Sequence, residues 1–125
     1  MIQQLIWVGL GGGLGSIARF GCQRWLNPSD TAGFPWGTFT VNITGCFIIG
    51  WLAGVTLRPS MASDPWKLFL MTGLCGGFTT FSAFTLEGMA LLREQRWLLF
   101  LSYTAGSVLL GLLATAVGIR IGSRI

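Results

Sequence analysis

Four long apolar runs, separated by short segments rich in helix breakers, leave this chain few ways to fold. The runs extend over about Ile2 to Leu26, Gly37 to Leu57, Trp66 to Leu92 and Trp97 to Gly122. Each is long enough for a helix to cross a hydrocarbon core about 30 Å thick, which takes roughly 20 residues. Between them lie "NPSDTAGFP", "RPSMASDP" and "REQR", where proline, turn residues and charge end a helix. Only 10% of the 125 residues are charged, against about 25% in a soluble domain. Lipid offers no partner to an unpaired backbone group, so spans of this length are helical. The sequence predicts an all-α membrane protein, a single domain of four transmembrane helices over residues 1–125. Trp25, Trp36, Trp66 and Trp97 fall near the proposed ends, where amphipathic indole rings anchor a helix at the lipid–water boundary.

Several function classes are disfavoured at once. The first cation is Arg19, so the N-terminus lacks the basic region of a cleaved secretory signal, and the first run is expected to stay as a helix. The three cysteines, Cys22, Cys46 and Cys75, are widely spaced and there is no histidine, a pattern of small packing residues rather than of a disulfide framework or zinc site. The net charge of +4 sits near span ends, which marks membrane interfaces and gives no reason to expect a nucleic-acid partner. The run "GLGGGLGS" lacks the GK[ST] ending of a nucleotide loop and lies within an apolar span.

With four spans, Arg58, Lys67, Arg120 and Arg124 share one side of the membrane. Arg24, Arg93 and Arg96, joined by Arg19 if it snorkels outward, occupy the other. Orientation follows the Lys/Arg bias between sides, and here the two sides nearly balance. Such a chain is expected to insert both ways, and two opposed copies can pair about a two-fold axis in the membrane plane. The expected assembly is an antiparallel, dual-topology homodimer. The competing reading is that short loops produce the balance by coincidence and another signal fixes orientation. Glycines four apart at Gly9/Gly13, Gly11/Gly15, Gly50/Gly54, Gly73/Gly77 and Gly118/Gly122 allow close helix approach.

Polar residues inside the runs need partners. Thr38 and Asn42 share one face of the second span, and Tyr103, Ser107, Gly111 and Thr115 form a stripe on the fourth. Asn42 can glue two helices together or offer its N–H groups to a passing solute. The stripe can line a wet path or bond back to its own helix.

The third run holds "GLCGGFTTFSAFTLEG", Gly73 to Gly88. Gly76 and Gly77 have little helix propensity and Thr79 and Thr80 are β-branched, so the third helix is expected to break near the bilayer middle. A break there frees carbonyls, which in broken membrane helices coordinate a cation such as sodium. Phe81 and Phe84 then share one face, with Glu87 a turn further on. Paired phenylalanines ordinarily mean core or lipid contact, although their positive ring edges can also face a small anion. Glu87 is the one acid well inside a span, which makes it a functional candidate.

Three stretches resemble a known family. "GGGLGSIARF", "FPWGTFTVNITGCFIIG" and "GLCGGFTTFSAF" are similar, in order and across nearly the whole chain, to the signatures of the Fluc (CrcB) fluoride channels. The resemblance implies a dual-topology homodimer in the cell inner membrane that exports fluoride passively through two antiparallel pores around one structural sodium ion. It implies that the sodium ligands are the backbone carbonyls of Gly76 and Thr79. It also implies that Phe81, Phe84 and Asn42 face the fluoride path, that Thr38, Tyr103 and Ser107 belong to its polar lining, and that Arg19 stands near the aqueous vestibule. Ala83 departs from the pattern, where the family often carries threonine, so a lining role at that position is in doubt.

Other readings weigh less. An exchanger for small organic cations also uses four short spans but requires a deep acid, and Glu87 lies toward a span end. A hydrolase using Ser82 or Ser107 lacks a histidine base. A purely structural subunit is opposed mainly by the signature stretches.

Overall fold

The computed structural model describes residues 1–27, 33–57 and 64–125. Arg58, counted above toward one side of the membrane, lies outside the described residues. Among the described residues, four helices are long and apolar enough to cross a membrane: Ile2–Leu26, Trp36–Val55, Pro65–Arg93 and Trp97–Ser123. The predicted four-span organisation is found, with ends within a few residues of those expected.

We label the first span α1 (Ile2–Leu26) and the second α2 (Trp36–Val55). The third is composite: a first turn α3 (Pro65–Lys67), a π-helical segment Leu68–Cys75, the short turn α4 (Gly76–Phe78) and α5 (Phe81–Arg93). The fourth is α6 (Trp97–Ser123). The third span starts where Asp64 accepts from the Trp66 N–H and Pro65 takes the first position, which needs no amide donor. Between α5 and α6 the chain turns tightly through Gln95, whose φ of 58° lies in the left-handed region.

The bundle is built from two close pairs. α2 packs along α6, and α1 packs along the π-helical segment and α4. Both seams are lined by glycine because backbone meets backbone. A Cβ on Gly15 would strike the Leu74 carbonyl oxygen, and one on Gly118 would strike that of Phe47. The pairs Gly11/Gly15, Gly50/Gly54, Gly73/Gly77 and Gly118/Gly122 all meet backbone in this way, whereas Gly9 and Gly13 have nothing within 4 Å. That last pair is exposed on the outer face of α1 and does not contribute to packing within the subunit.

Few large side chains are fully buried, among them Tyr103, Val41 and Thr38. Leucines, isoleucines and phenylalanines cover the outside, and Trp25, Trp36, Trp66 and Trp97 are exposed near the helix ends. This inverts a water-soluble fold and suits lipid as the solvent.

Candidate functional site

The third span leaves helical geometry at Thr79 and Thr80, whose φ, ψ pairs of −85°, 158° and −149°, 121° are extended. Local bonds explain how the chain passes through. The Thr79 N–H and hydroxyl both donate to the Cys75 carbonyl, at 3.0 and 2.9 Å, closing the turn before the extended residues. The Thr80 hydroxyl then accepts from the Ala83 N–H at 3.2 Å and caps the start of α5.

Asn42, from α2, grips the extended residues across the bundle. Its Oδ1 accepts from the Thr80 N–H at 2.8 Å and its Nδ2 donates to the Thr80 carbonyl at 3.0 Å. In a continuous α-helix the Thr80 N–H would donate to the Gly76 carbonyl four residues back. Asn42 takes that donor, so the Gly76 oxygen is left without its helical partner. Arg19 serves the same region from α1, donating from Nε to the Gly77 carbonyl at 3.0 Å. The amide thus acts as helix glue while keeping a second Nδ2 N–H in reserve.

Around this point lies an open cavity of about 320 Å3, lined by Asn42, Gly76, Thr79, Phe81, Phe84 and Ser107 together with Cys46, Cys75 and Thr80. It unites six of the residues anticipated from sequence. The Phe81 and Phe84 rings are tilted at 45° with centroids 5.8 Å apart, and Phe81 is 76% exposed in the single subunit. The Ser107 Oγ is buried with no hydrogen-bond partner among the described residues, an arrangement that ordinarily costs stability.

The remaining anticipated residues are elsewhere. Thr38 and Tyr103, 1% and 0% exposed, are closed into a separate cluster. The Thr38 hydroxyl donates to Glu87 Oε1 at 2.7 Å and the Tyr103 hydroxyl donates to Oε2 at 2.9 Å. Gln23, which the sequence did not single out, donates from Nε2 to the Thr38 oxygen at 2.9 Å. A second cavity of about 290 Å3 beside this cluster is lined by Gln23, Arg24, Thr38 and Glu87 among others. The cation in that cavity is Arg24; Arg19 is turned toward Gly77. Tyr103 of the cluster packs edge-on against Phe84, which lines the larger cavity, with ring centroids 5.1 Å apart. Gln23 could have been noticed as an amide one turn inside the end of an apolar span, but its partner is invisible in sequence. Farther along α6, the Thr115 hydroxyl donates to the Cys46 carbonyl at 3.2 Å and belongs to the α2–α6 seam, while Thr104 bonds back to the Phe100 carbonyl at 2.8 Å.

Four apolar spans enclosing buried polar groups and an open cavity define a small multi-pass membrane protein. Residues 6–119 match the family described as CrcB-like protein, Camphor Resistance (CrcB). The chain belongs to that family. A relative from Chlorobium phaeobacteroides named "Fluoride-specific ion channel FluC" is 44% identical over 117 residues, 94% of this chain and 90% of its own. Relatives of the same name from Rhizobium meliloti and Thermus thermophilus are each 41% identical, over 96% and 97% of this chain and 96% and 94% of theirs. These are ion channels, not enzymes.

Proposed function

We propose that this chain is a fluoride-selective passive channel in the cell inner membrane that lets fluoride leave the cytoplasm and so lowers its internal concentration. The observation that carries the reading is the gathering of Asn42, Ser107, Phe81 and Phe84 on one open cavity beside the extended residues of the third span, in a chain whose relatives bear the name of fluoride-specific channels.

Fluoride is small and tightly hydrated, so a path must replace its water with close donors. The unpartnered Ser107 hydroxyl, the second Asn42 N–H and the positive edges of Phe81 and Phe84 supply them. A narrow path of such donors serves the larger chloride poorly. With no fixed cation among these residues, passage is not held up by tight ion pairing.

The cavity opens outward, where in a lone subunit its polar lining would meet lipid. A second, inverted copy is the cover we propose, giving an antiparallel dual-topology homodimer with the interrupted third spans facing each other near the bilayer middle. The near balance of Lys/Arg between the two membrane faces supports that arrangement. The carbonyls of Gly76 and Thr79 from each copy fit a structural sodium ion, since they are hard oxygen donors and the Gly76 oxygen has lost its helical partner to Asn42. Bound sodium would supply fixed positive potential, while Asn42 and Arg19 hold the backbone in position.

Exchange of organic cations fits less well. Both Glu87 oxygens already accept hydroxyl hydrogen bonds, so a cationic substrate would compete with two donors for a carboxylate that the packing of the spans already uses. Anion efflux from liposomes carrying the purified protein, followed with a fluoride electrode, tests the proposal. Fluoride should leave down its gradient without a proton gradient. Chloride efflux at a comparable rate refutes selectivity, and strict coupling to protons refutes a passive channel.

A further inference from the structure

Gln23, Thr38, Glu87 and Tyr103 form one hydrogen-bonded chain with a member from each of the four spans. Its direction is fixed by chemistry. An ionised carboxylate only accepts, so the single Thr38 proton points at Glu87 Oε1, 2.7 Å away. The Thr38 oxygen is then left to accept, and the group 2.9 Å away must be the N–H end of the Gln23 amide. Were the amide reversed, its oxygen would compete with Glu87 for that one proton.

We propose that Gln23 is a positioning residue for the anion path. By donating to the Thr38 oxygen it fixes that hydroxyl in place and polarises the O–H that Glu87 accepts, strengthening the bond, and with Tyr103 on the other oxygen the carboxylate is held by two donors. A carboxylate so held keeps its negative charge turned away from the larger cavity, whose Phe84 ring touches Tyr103. Removing Gln23 leaves the Thr38 oxygen without that donor, weakens the Thr38 bond to Glu87 so that Tyr103 is the firmer of its two donors, and lets the carboxylate charge oppose an incoming anion. Gln23 also lines the smaller cavity, alongside Thr38 and Glu87, and so acts where solute or water can reach the chain of bonds. Its effect on flux rests on the channel reading above; its effect on Glu87 does not.

The test uses full-length protein in lipid with 13C-carboxyl-labelled glutamate. The Glu87 carboxylate stretch is identified in infrared spectra by its loss in Glu87→Gln. Gln23→Leu removes the donor at similar volume. Gln23→Met keeps the length of the side chain without the donor, and covers the case in which the leucine variant does not fold. We expect the Glu87 band to shift in both variants in the direction produced by Thr38→Val, and fluoride efflux to fall about tenfold in Gln23→Leu. In a Thr38→Val background, Gln23→Leu should cause no further loss. An unshifted band in folded Gln23 variants overturns the proposal, as does a flux loss that multiplies fully with that of Thr38→Val. A shifted band in a protein that conducts no fluoride supports the role of Gln23 and overturns the channel reading alone.

Discussion

Asn42 and Thr80 are joined by two hydrogen bonds, amide oxygen to backbone N–H at 2.8 Å and amide nitrogen to backbone carbonyl at 3.0 Å. One side chain thereby satisfies both backbone groups of an extended residue inside an apolar bundle, where each would otherwise be unpaired at a cost of about 1–3 kcal/mol. Asn42→Asp retains the acceptor for the Thr80 N–H but places a carboxylate oxygen against the Thr80 carbonyl and a negative charge on the path. Fluoride efflux should be abolished in this variant, and the Thr80 carbonyl should lose its donor. Unchanged efflux in liposomes would remove Asn42 from the pathway.

Ser107 separates a conducting role from a packing role. Its Oγ is buried with no partner among the described residues, so Ser107→Ala deletes an unsatisfied group and should leave thermal stability unchanged or raised. If the hydroxyl serves the anion, the same variant conducts fluoride more slowly. A variant with full flux and higher stability identifies Ser107 as a packing residue only.

The glycine seams give a contrast within one chain. On Gly118 a Cβ would meet the Phe47 carbonyl and come within 2.7 Å of the Trp51 nitrogen, both of them backbone atoms that cannot swing aside. Gly118→Ala should therefore destabilise the fold by about 1–3 kcal/mol, the usual range for overpacking. Gly9 has nothing within 4 Å, and Gly9→Ala should be neutral or slightly stabilising through its better helix propensity. Unfolding measured in detergent distinguishes the two, and equal effects would contradict the seam.

The four spans were legible because apolar length and breakers are local signals. The weakness of a helix at Gly76, Gly77, Thr79 and Thr80 is likewise local. Neither signal carries the π-helical winding of Leu68–Cys75, whose sequence "LFLMTGLC" is as apolar as any α-helical span and which lies against Gly11 and Gly12 through Gly73. The Glu87 cluster was hidden for the same reason. Gln23 and Thr38 are 15 residues apart and Thr38 and Glu87 are 49 apart, so only tertiary packing brings them together. Thr38 and Tyr103 were visible as polar residues in apolar spans, but nothing in the sequence revealed that their protons point at Glu87.

Insertion in both directions is a separate expectation, resting on the near balance of Lys/Arg across the two faces. Reporters fused after Ile125 should be found on both sides of the membrane in similar amounts. Adding two lysines after Ile125 should shift the population toward a cytoplasmic C-terminus. A reporter confined to one side in the unmodified chain would exclude dual topology and the inverted pair built upon it.

Arg19 offers the sharpest choice between two roles. As a vestibule charge it would attract anions from a distance, and its effect on flux would fade as salt shortens the screening length from about 30 Å at 0.01 M to about 3 Å at 1 M. As placed, its Nε donates to the Gly77 carbonyl at 3.0 Å, in the turn just before the extended residues, a contact that screening weakens much less. Arg19→Met, which keeps the length and loses the donor, should lower stability by about 1.5–3 kcal/mol, the range for a hydrogen bond to a charged group. It should also reduce fluoride efflux by a similar factor at low and high salt. A reduction that vanishes at high salt, with unfolding unchanged, would return Arg19 to the vestibule and leave the Gly77 carbonyl without a functional partner.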